Sequence, residues 1–410
     1  MRKFFLVFLL IFPQNLFAEN SDNFFQGIWA NMVDYDYEEE YEKSSKDGPE
    51  ISGRVITDIS FDNNYESNDS KDKFNDATVL GRLFSDLSFT KSFSIKTNIF
   101  LSRVDASKEN EKRKNSPSGG GDMAFENTGL YVRELVLDYS KENFSVIAGK
   151  YTANFGTAWR WGRGIWSNSL PIKYIQKEKL GFGGVYRIGD EKRTGRYNFG
   201  FSAFTNDRKN LDNSIFNHRD VGNKYDAKAG DTRGLDSYNA SLDINFDFGY
   251  REKLSYHFSY LNLAVNSNQT SVKYSKIADQ KGFVLGTNYI YPINDALVLD
   301  SLVEYVEMKN VGGNSDSGNK ALSLSLVGEI YNNWNVTLAN SYYKNSNLSD
   351  GSLNYNENLY EFSTGYKFDK TKYFDQLLLQ IGYKKLRNNY QSYINEQNAA
   401  GVLLRYIKSF

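Results

Sequence analysis

The spacing of its alternating segments restricts this chain more than any other feature. From residue 51 to the end, stretches of about ten residues carry apolar side chains at every second position, the period of a strand with two unlike faces. In GRYNFGFSAFT, Tyr197, Phe199, Phe201 and Ala203 share one face, and Arg196, Asn198, Gly200 and Ser202 the other. SYNASLDINFDF repeats the pattern, with Leu242, Ile244 and Phe246 set against Asp243, Asn245 and Asp247. Sixteen such strands can be laid out, from 51–61 to 400–410. Their connections alternate in length. Short ones centre on 91, 141–142, 190–194, 249–251, 292–295, 332–333 and 369–375; long ones fall at 62–78, 103–128, 152–180, 207–235, 265–281, 309–319, 345–357 and 387–399. A soluble sandwich has no reason to keep that parity. An even strand count with both ends on the short-turn side is the layout of an all-β, transmembrane antiparallel up-and-down barrel. In lipid every backbone N–H and C=O needs a partner within the protein, so the last strand is expected to pair with the first.

Composition agrees. There are 30 Tyr and 29 Phe but only five Pro and no Cys, so neither a disulfide framework nor a Pro-rich linker is available. Arg2 and Lys3, the apolar run Phe4–Phe12 and Leu16-Phe17-Ala18 read as an export signal over 1–18. The apolar run is too short to cross a hydrocarbon core, which takes about 20 residues. Without Arg2 and Lys3, the 49 basic residues fall to 47 against 50 acidic ones, which argues against a nucleic-acid partner. Residues 19–50 are acidic and aromatic without clean alternation, and form a separate N-terminal segment ahead of the barrel at 51–410.

The chain ends in AGVLLRYIKSF, with Val402, Leu404, Tyr406 and Phe410 on one face. This resembles the C-terminal assembly signal of Gram-negative outer-membrane proteins, with Tyr406 and Phe410 as its carriers; Lys408 departs from the usual apolar residue. Over its length the sequence resembles the 16-stranded porins. LVLDYSKENFSVIAGKYTANFGTAWRWGRG is also similar to a strand-turn-strand of phosphate-selective porins, through Gly149, Lys150, Phe155 and Gly156. The resemblance implies passive diffusion of small hydrophilic solutes across the outer membrane, insertion by the barrel assembly machinery, contact with lipid and lipopolysaccharide, and a homotrimer. It implies no cofactor.

The stretch 144–177 holds no Asp or Glu but carries Lys150, Arg160, Arg163, Lys173 and Lys177, with three of the five Trp. Strand counting puts most of it in the third long connection, which the resemblance folds into the channel as a constriction. A field of one sign between low-dielectric walls concentrates the opposite ion, here anions, with Lys150, Arg160, Arg163 and Lys173 as its source. The other reading is that these cations face lipopolysaccharide or pair with wall carboxylates. Alternation turns Arg54, Arg82, Arg187, Arg196, Asp300 and Glu304 toward the lumen among ten bases and ten acids, so the wall alone predicts little selectivity. It also turns Arg133 toward lipid, where a charge at mid-depth costs about 2–4 kcal/mol.

Two rival classes remain: a channel specific for phosphate or carboxylate-bearing solutes, and a non-transport barrel, hydrolase or adhesive. For the hydrolase the sequence offers only His218 and His257, neither in a recognisable Ser, Asp or Glu pattern. No metal-ligand spacing is present; the acids from Asp62 to Asp76 read as a solvated loop.

Overall fold

A computed structural model describes residues 49–104, 122–207, 211, 213–217, 229–265, 277–347, 354–390 and 393–410. The expected export signal and nearly all of the N-terminal segment lie outside these residues, as does His218.

The described chain is almost entirely strand. β1 (Glu50–Ser67), β2 (Phe74–Thr90) and β3 (Phe93–Arg103) are followed by a two-residue β4 (Met123–Ala124). Then come β5 (Thr128–Lys141), β6 (Phe144–Ala153), β7 (Gln176–Asp190), β8 (Gly195–Asn206), β9 (Ser237–Gly249) and β10 (Glu252–Leu263). The rest are β11 (Gln280–Asn294), β12 (Leu297–Lys309), β13 (Ser317–Ile330), β14 (Trp334–Asn347), β15 (Tyr355–Phe368), β16 (Gln376–Tyr390) and β17 (Ile394–Ser409). β4 only lies parallel to β2 through Asp76 and Ala77. The other sixteen pair antiparallel with their chain neighbours, and β1 pairs with both β2 and β17, so the sheet closes into a barrel as alternation requires.

Closure leaves two unlike faces. Leu137, Phe201, Phe283, Leu326, Phe362 and Leu404 are exposed on the outer wall, while the intervening positions are buried within. Such an apolar girdle suits hydrocarbon and not water. Short connections are tight: in the three residues between β13 and β14, Tyr331 and Asn332 both take positive φ (51° and 63°), which lets the turn follow the twist of the strands.

The seam is finished by the last residue. Phe410 exchanges backbone hydrogen bonds with Gly53, at 3.0 and 2.9 Å. Its ring lies where a Gly53 side chain would be: a Cβ there would sit 2.5 Å from Phe410 Cζ and closer still to the Phe84 carbonyl. Lys408 pairs with Asp375 in the adjoining short turn (3.6 Å), and the Tyr406 hydroxyl donates to the Tyr373 carbonyl (2.7 Å), so both polar groups stay with the turn at the barrel's end. Gly53→Val is expected to destabilise the barrel by about 1–3 kcal/mol, because an overpacked seam must shift either the ring or the ladder. Urea titration of the detergent-folded protein reads this directly, and an unchanged midpoint would refute it.

One wall position differs from expectation. Arg133 is not turned to lipid: it is 6% exposed and sits on the inner side together with Glu134. The β3–β5 ladder pairs Asn98 with Glu134 but Ile99 with Val132, so Arg133 is the extra residue of a bulge. A bulge lets two successive residues share a face, which removes the predicted penalty. The guanidinium instead rests 4.5 Å from the centre of the Phe100 ring.

Candidate functional site

Regular alternation in β6 falters at Gly149 (φ 136°) and the chain leaves the sheet after Ala153. It makes one helical turn, α1 (Ala158–Trp161), and a 3-10 turn at Pro171–Lys173, then returns as β7. Gly156, at φ 82°, permits the first bend; a side chain there would strike the Tyr174 ring at 2.8 Å and crowd Glu304. Because 144–177 contains no carboxylate, its N–H groups and cations need acceptors from elsewhere. The inner wall supplies them.

Glu304 on β12 is the chief anchor. It accepts from the Thr157 N–H, from Thr157 Oγ1 (2.7 Å), from the Ala158 N–H (3.1 Å) and from the Tyr174 hydroxyl. Burial, and then the Glu304 charge, push the Tyr174 hydroxyl well above its ordinary pKa, which keeps it a donor. Glu361 on β15 accepts from the Ile165 N–H (2.6 Å), the Trp166 N–H (3.1 Å) and Ser167 Oγ (2.9 Å). Asp62 on β1 takes Trp166 Nε1 (2.9 Å) and Lys384 Nζ (3.0 Å). On β9, Asp243 takes Asn154 Nδ2 (2.9 Å). These acceptors run from β9 round to β1 on the inner wall, so the segment lies inside the barrel and spans much of its bore.

The four basic candidates are placed as follows. Lys150 is 1% exposed; its ammonium lies 3.1 Å from both Glu178 and Asp207 and donates to the Leu211 carbonyl (2.7 Å). Two carboxylates outweigh that single cation. Arg160, in α1, is buried with its guanidinium 5.2 Å from the Trp161 ring. Arg163 reaches Asp300 on β12 at 3.3 Å and keeps a 37% exposed side chain. Lys173 pairs with Glu357 at the start of β15. Three of these four cations, Lys150, Arg163 and Lys173, are thus matched by carboxylates, and Arg163 and Lys173 keep substantial exposure.

A different basic cluster stands on the inner wall. Asp58 on β1 accepts from Arg82 (2.6 Å) and, twice, from Arg405 (2.7 and 3.0 Å). Arg133, brought inward by the bulge, interacts electrostatically with Arg82. Glu134 beside it accepts from Asn98 Nδ2 (2.8 Å) and from the Thr152 N–H (3.1 Å). Even counting Glu134, three guanidinium groups meet two carboxylates here. Toward the short-turn end, Lys96 lies between Asp138 (2.9 Å) and Asp86 (3.6 Å). Of the other wall candidates, Arg54 donates to Ser409 Oγ (3.2 Å), Arg187 to Ser145 Oγ (2.7 Å), and Arg196 approaches Glu191 (3.7 Å).

Several anchors were not legible in advance. The sequence pattern places Asp62 and Asp76 in a solvated loop, but β1 and β2 extend past them and Asp76 holds Arg103 at 2.7 Å. His257 Nδ1 lies 2.7 Å from Asp243 Oδ1, and its Nε2 accepts the Gly156 N–H (3.3 Å), which puts the ring proton on Nδ1. A register shift in the hairpin sets this pair: Gly249 faces Glu252 across the turn, Phe248 is passed over, and Asp243 comes opposite His257. The pair resembles the orienting half of a hydrolytic triad, but its outer nitrogen is engaged by the backbone of the inward segment.

No protein-family model and no curated protein matches the sequence. Solved structures with a similar fold do exist. The outer membrane channel DcaP of Acinetobacter baumannii is 14% identical, with 89% of this chain and 99% of that one covered at a TM-score of 0.51. The trimer form of OmpT from Vibrio cholerae is 12% identical (88% and 99% covered, TM-score 0.48), and the anion-selective porin from Comamonas acidovorans 14% identical (88% and 99%, TM-score 0.45). At these identities the likeness is one of fold: the chain has the sixteen-stranded barrel of outer-membrane channels.

Proposed function

We propose that this protein is an outer-membrane channel through which small hydrophilic solutes diffuse passively, with a mild preference for anions. The observation that carries the reading is the segment 154–175, bonded to the inner wall from β9 round to β1 inside a closed barrel. A barrel whose bore is narrowed by its own chain selects by size and local field, and neither needs turnover. The anion preference rests on the wall more than on the inward segment. Glu304, Glu361, Asp243 and Asp62 are occupied by donors of that segment, whereas Arg82, Arg405 and Arg133 exceed the carboxylates beside them. Fixed charge of one sign in a low-dielectric bore raises the local concentration of the opposite ion.

The test is the reversal potential of the reconstituted channel in a KCl gradient. Wild type is expected to pass chloride over potassium, and Arg82→Gln with Arg405→Gln to shift the potential toward cation preference. Arg163→Ala, which removes a cation already matched by Asp300, should shift it less. Equal potentials in wild type and the double variant would sink the anion reading. A second reading, a channel specific for phosphate or carboxylate solutes, is favoured by the excess of guanidinium groups over carboxylates at Arg82, Arg133 and Arg405, since guanidinium groups suit such anions. Saturation of the current by one such solute would support it. A homotrimer is part of the same proposal and is checked by crosslinking in native membranes.

A further inference from the structure

Four tyrosine rings form a row near the long-loop end of the barrel. Tyr343 near the end of β14, Tyr355 at the start of β15 and Tyr390 at the end of β16 occupy inward positions of their strands, with Tyr355 and Tyr390 direct cross-strand partners; Tyr393 follows. Successive ring centres are 6.2, 5.9 and 4.7 Å apart, the last pair stacked at 20°. Exposure rises from 5% at Tyr343, which lies 4.9 Å from the Lys173 ammonium, to 56% at Tyr393. The row therefore leads from the mouth down to the inward segment. Inward aromatics of this kind are not part of a lipid-facing girdle, which belongs to the opposite face of the same strands.

The polar groups beside the row narrow down what it would hold. Asn388, two residues before Tyr390 on the same face, and Asn319, whose amide nitrogen donates to the Tyr343 hydroxyl, are both buried. Among the described residues, the side-chain oxygen of each has no hydrogen-bond donor. A buried acceptor left unmet is costly, so a ligand carrying O–H groups is favoured beside Asn388. The charges do not favour an anion: Lys173 is paired with Glu357, and the Glu357 and Asp72 carboxylates both act on Tyr390.

We propose that the row Tyr343, Tyr355, Tyr390 and Tyr393 is a binding track for neutral, hydroxyl-rich rings, that is, sugars. The C–H face of each sugar ring lies on Tyr355, Tyr390 or Tyr393, while Tyr343, held by Asn319, closes the inner end of the row, and a sugar hydroxyl donates to Asn388 beside Tyr390. Flat apolar surface with a few placed polar groups is the usual make-up of a small-molecule site. A series of near-equal stacking positions lets a sugar step inward without a deep trap. The proposal rests on the channel reading, and extends it from anions to a second solute class on a different arc of the wall.

The experiment is block of the ion current through the full-length reconstituted channel by maltotriose, paired with maltotriose binding to the detergent-folded barrel followed by tyrosine fluorescence. Wild type is expected to show concentration-dependent block and a matching fluorescence change. Tyr355→Ala with Tyr390→Ala should raise the half-blocking concentration about tenfold or more, the loss of roughly one strong contact, while the unblocked current persists. Tyr355→Phe with Tyr390→Phe, which keeps the rings, should retain block. A conducting wild-type channel that maltotriose neither blocks nor perturbs overturns the sugar track and leaves the channel reading standing. Equal block in the alanine and wild-type proteins overturns it as well. Absence of conductance with sugar binding intact overturns the channel reading and leaves the track.

Discussion

Replacing Glu304 and Glu361 together by alanine is expected to raise single-channel conductance and to make the open current noisy, without loss of the barrel. Seven donors of the inward segment end on these two carboxylates: Thr157 N–H and Oγ1, Ala158 N–H, Tyr174 OH, Ile165 N–H, Trp166 N–H and Ser167 Oγ. Each buried donor left without a partner costs about 1–3 kcal/mol. The segment has no carboxylate of its own to replace them, so its cheapest recourse is to lift toward water. The strand ladders do not depend on either side chain, and the shift in gel mobility between heated and unheated protein should persist. Wild-type conductance and noise in the double variant would show that the segment is held by packing alone. Trp166, Leu170 and Tyr174 are buried in one apolar cluster with wall residues, and the measurement weighs that cluster against the hydrogen bonds.

Asp58→Ala is expected to cost about 3–5 kcal/mol, because it strips the partner from two arginines buried or half-buried in the wall. Arg82 donates to Asp58 at 2.6 Å and Arg405 at 2.7 and 3.0 Å, and Arg133 adds a further like charge nearby. Any barrel that still folds should be more anion-selective than wild type, since the same change raises local positive charge. Arg82→Leu added to Asp58→Ala should recover part of the stability by removing one uncompensated charge. The readouts are the urea midpoint in detergent and the reversal potential in a salt gradient. Unchanged stability in Asp58→Ala would mean that water already screens both arginines, and would weaken the case for a wall-based field.

The two variants separate what holds the inward segment from what sets the field. From the sequence alone, the field is assigned to the basic stretch 144–177, with pairing to wall carboxylates as the alternative. The lack of carboxylates in that stretch is better explained by anchoring: an acid-free segment can be laid along an acid-bearing wall without repulsion. In the proposed anion preference the positive field comes instead from Arg82, Arg133 and Arg405, on strands far apart in sequence.

The sixteen strands, their order, the seam and the unlike faces were all written in the sequence. Lipid forbids unpaired backbone and strand geometry forces a period of two, so local pattern alone carries that information. The lengths of the connections were not, because strand pairing runs past the expected ends. It leaves only three residues between β16 and β17, where 387–399 is expected as a long connection, and only six between β1 and β2. His257 opposite Asp243 was not legible, because a register shift after Glu252 sets that pairing. Arg133 was not either, because a bulge depends on the fit between β3 and β5 and breaks the parity from which faces are read. Nor was the pairing of Lys173 with Glu357, Trp166 with Asp62, or Thr157 with Glu304. Those partners are separated by 184, 104 and 147 residues and meet only because the closed barrel brings its inner walls within reach of one segment. The sequence by itself determined that this chain makes a barrel and carries an acid-free basic segment between its fifth and sixth long strands. Only the tertiary structure decided that the segment lies within the bore and that Lys150, Arg163 and Lys173 are matched there. Alternation records which way a side chain points; it holds no record of what waits across the lumen.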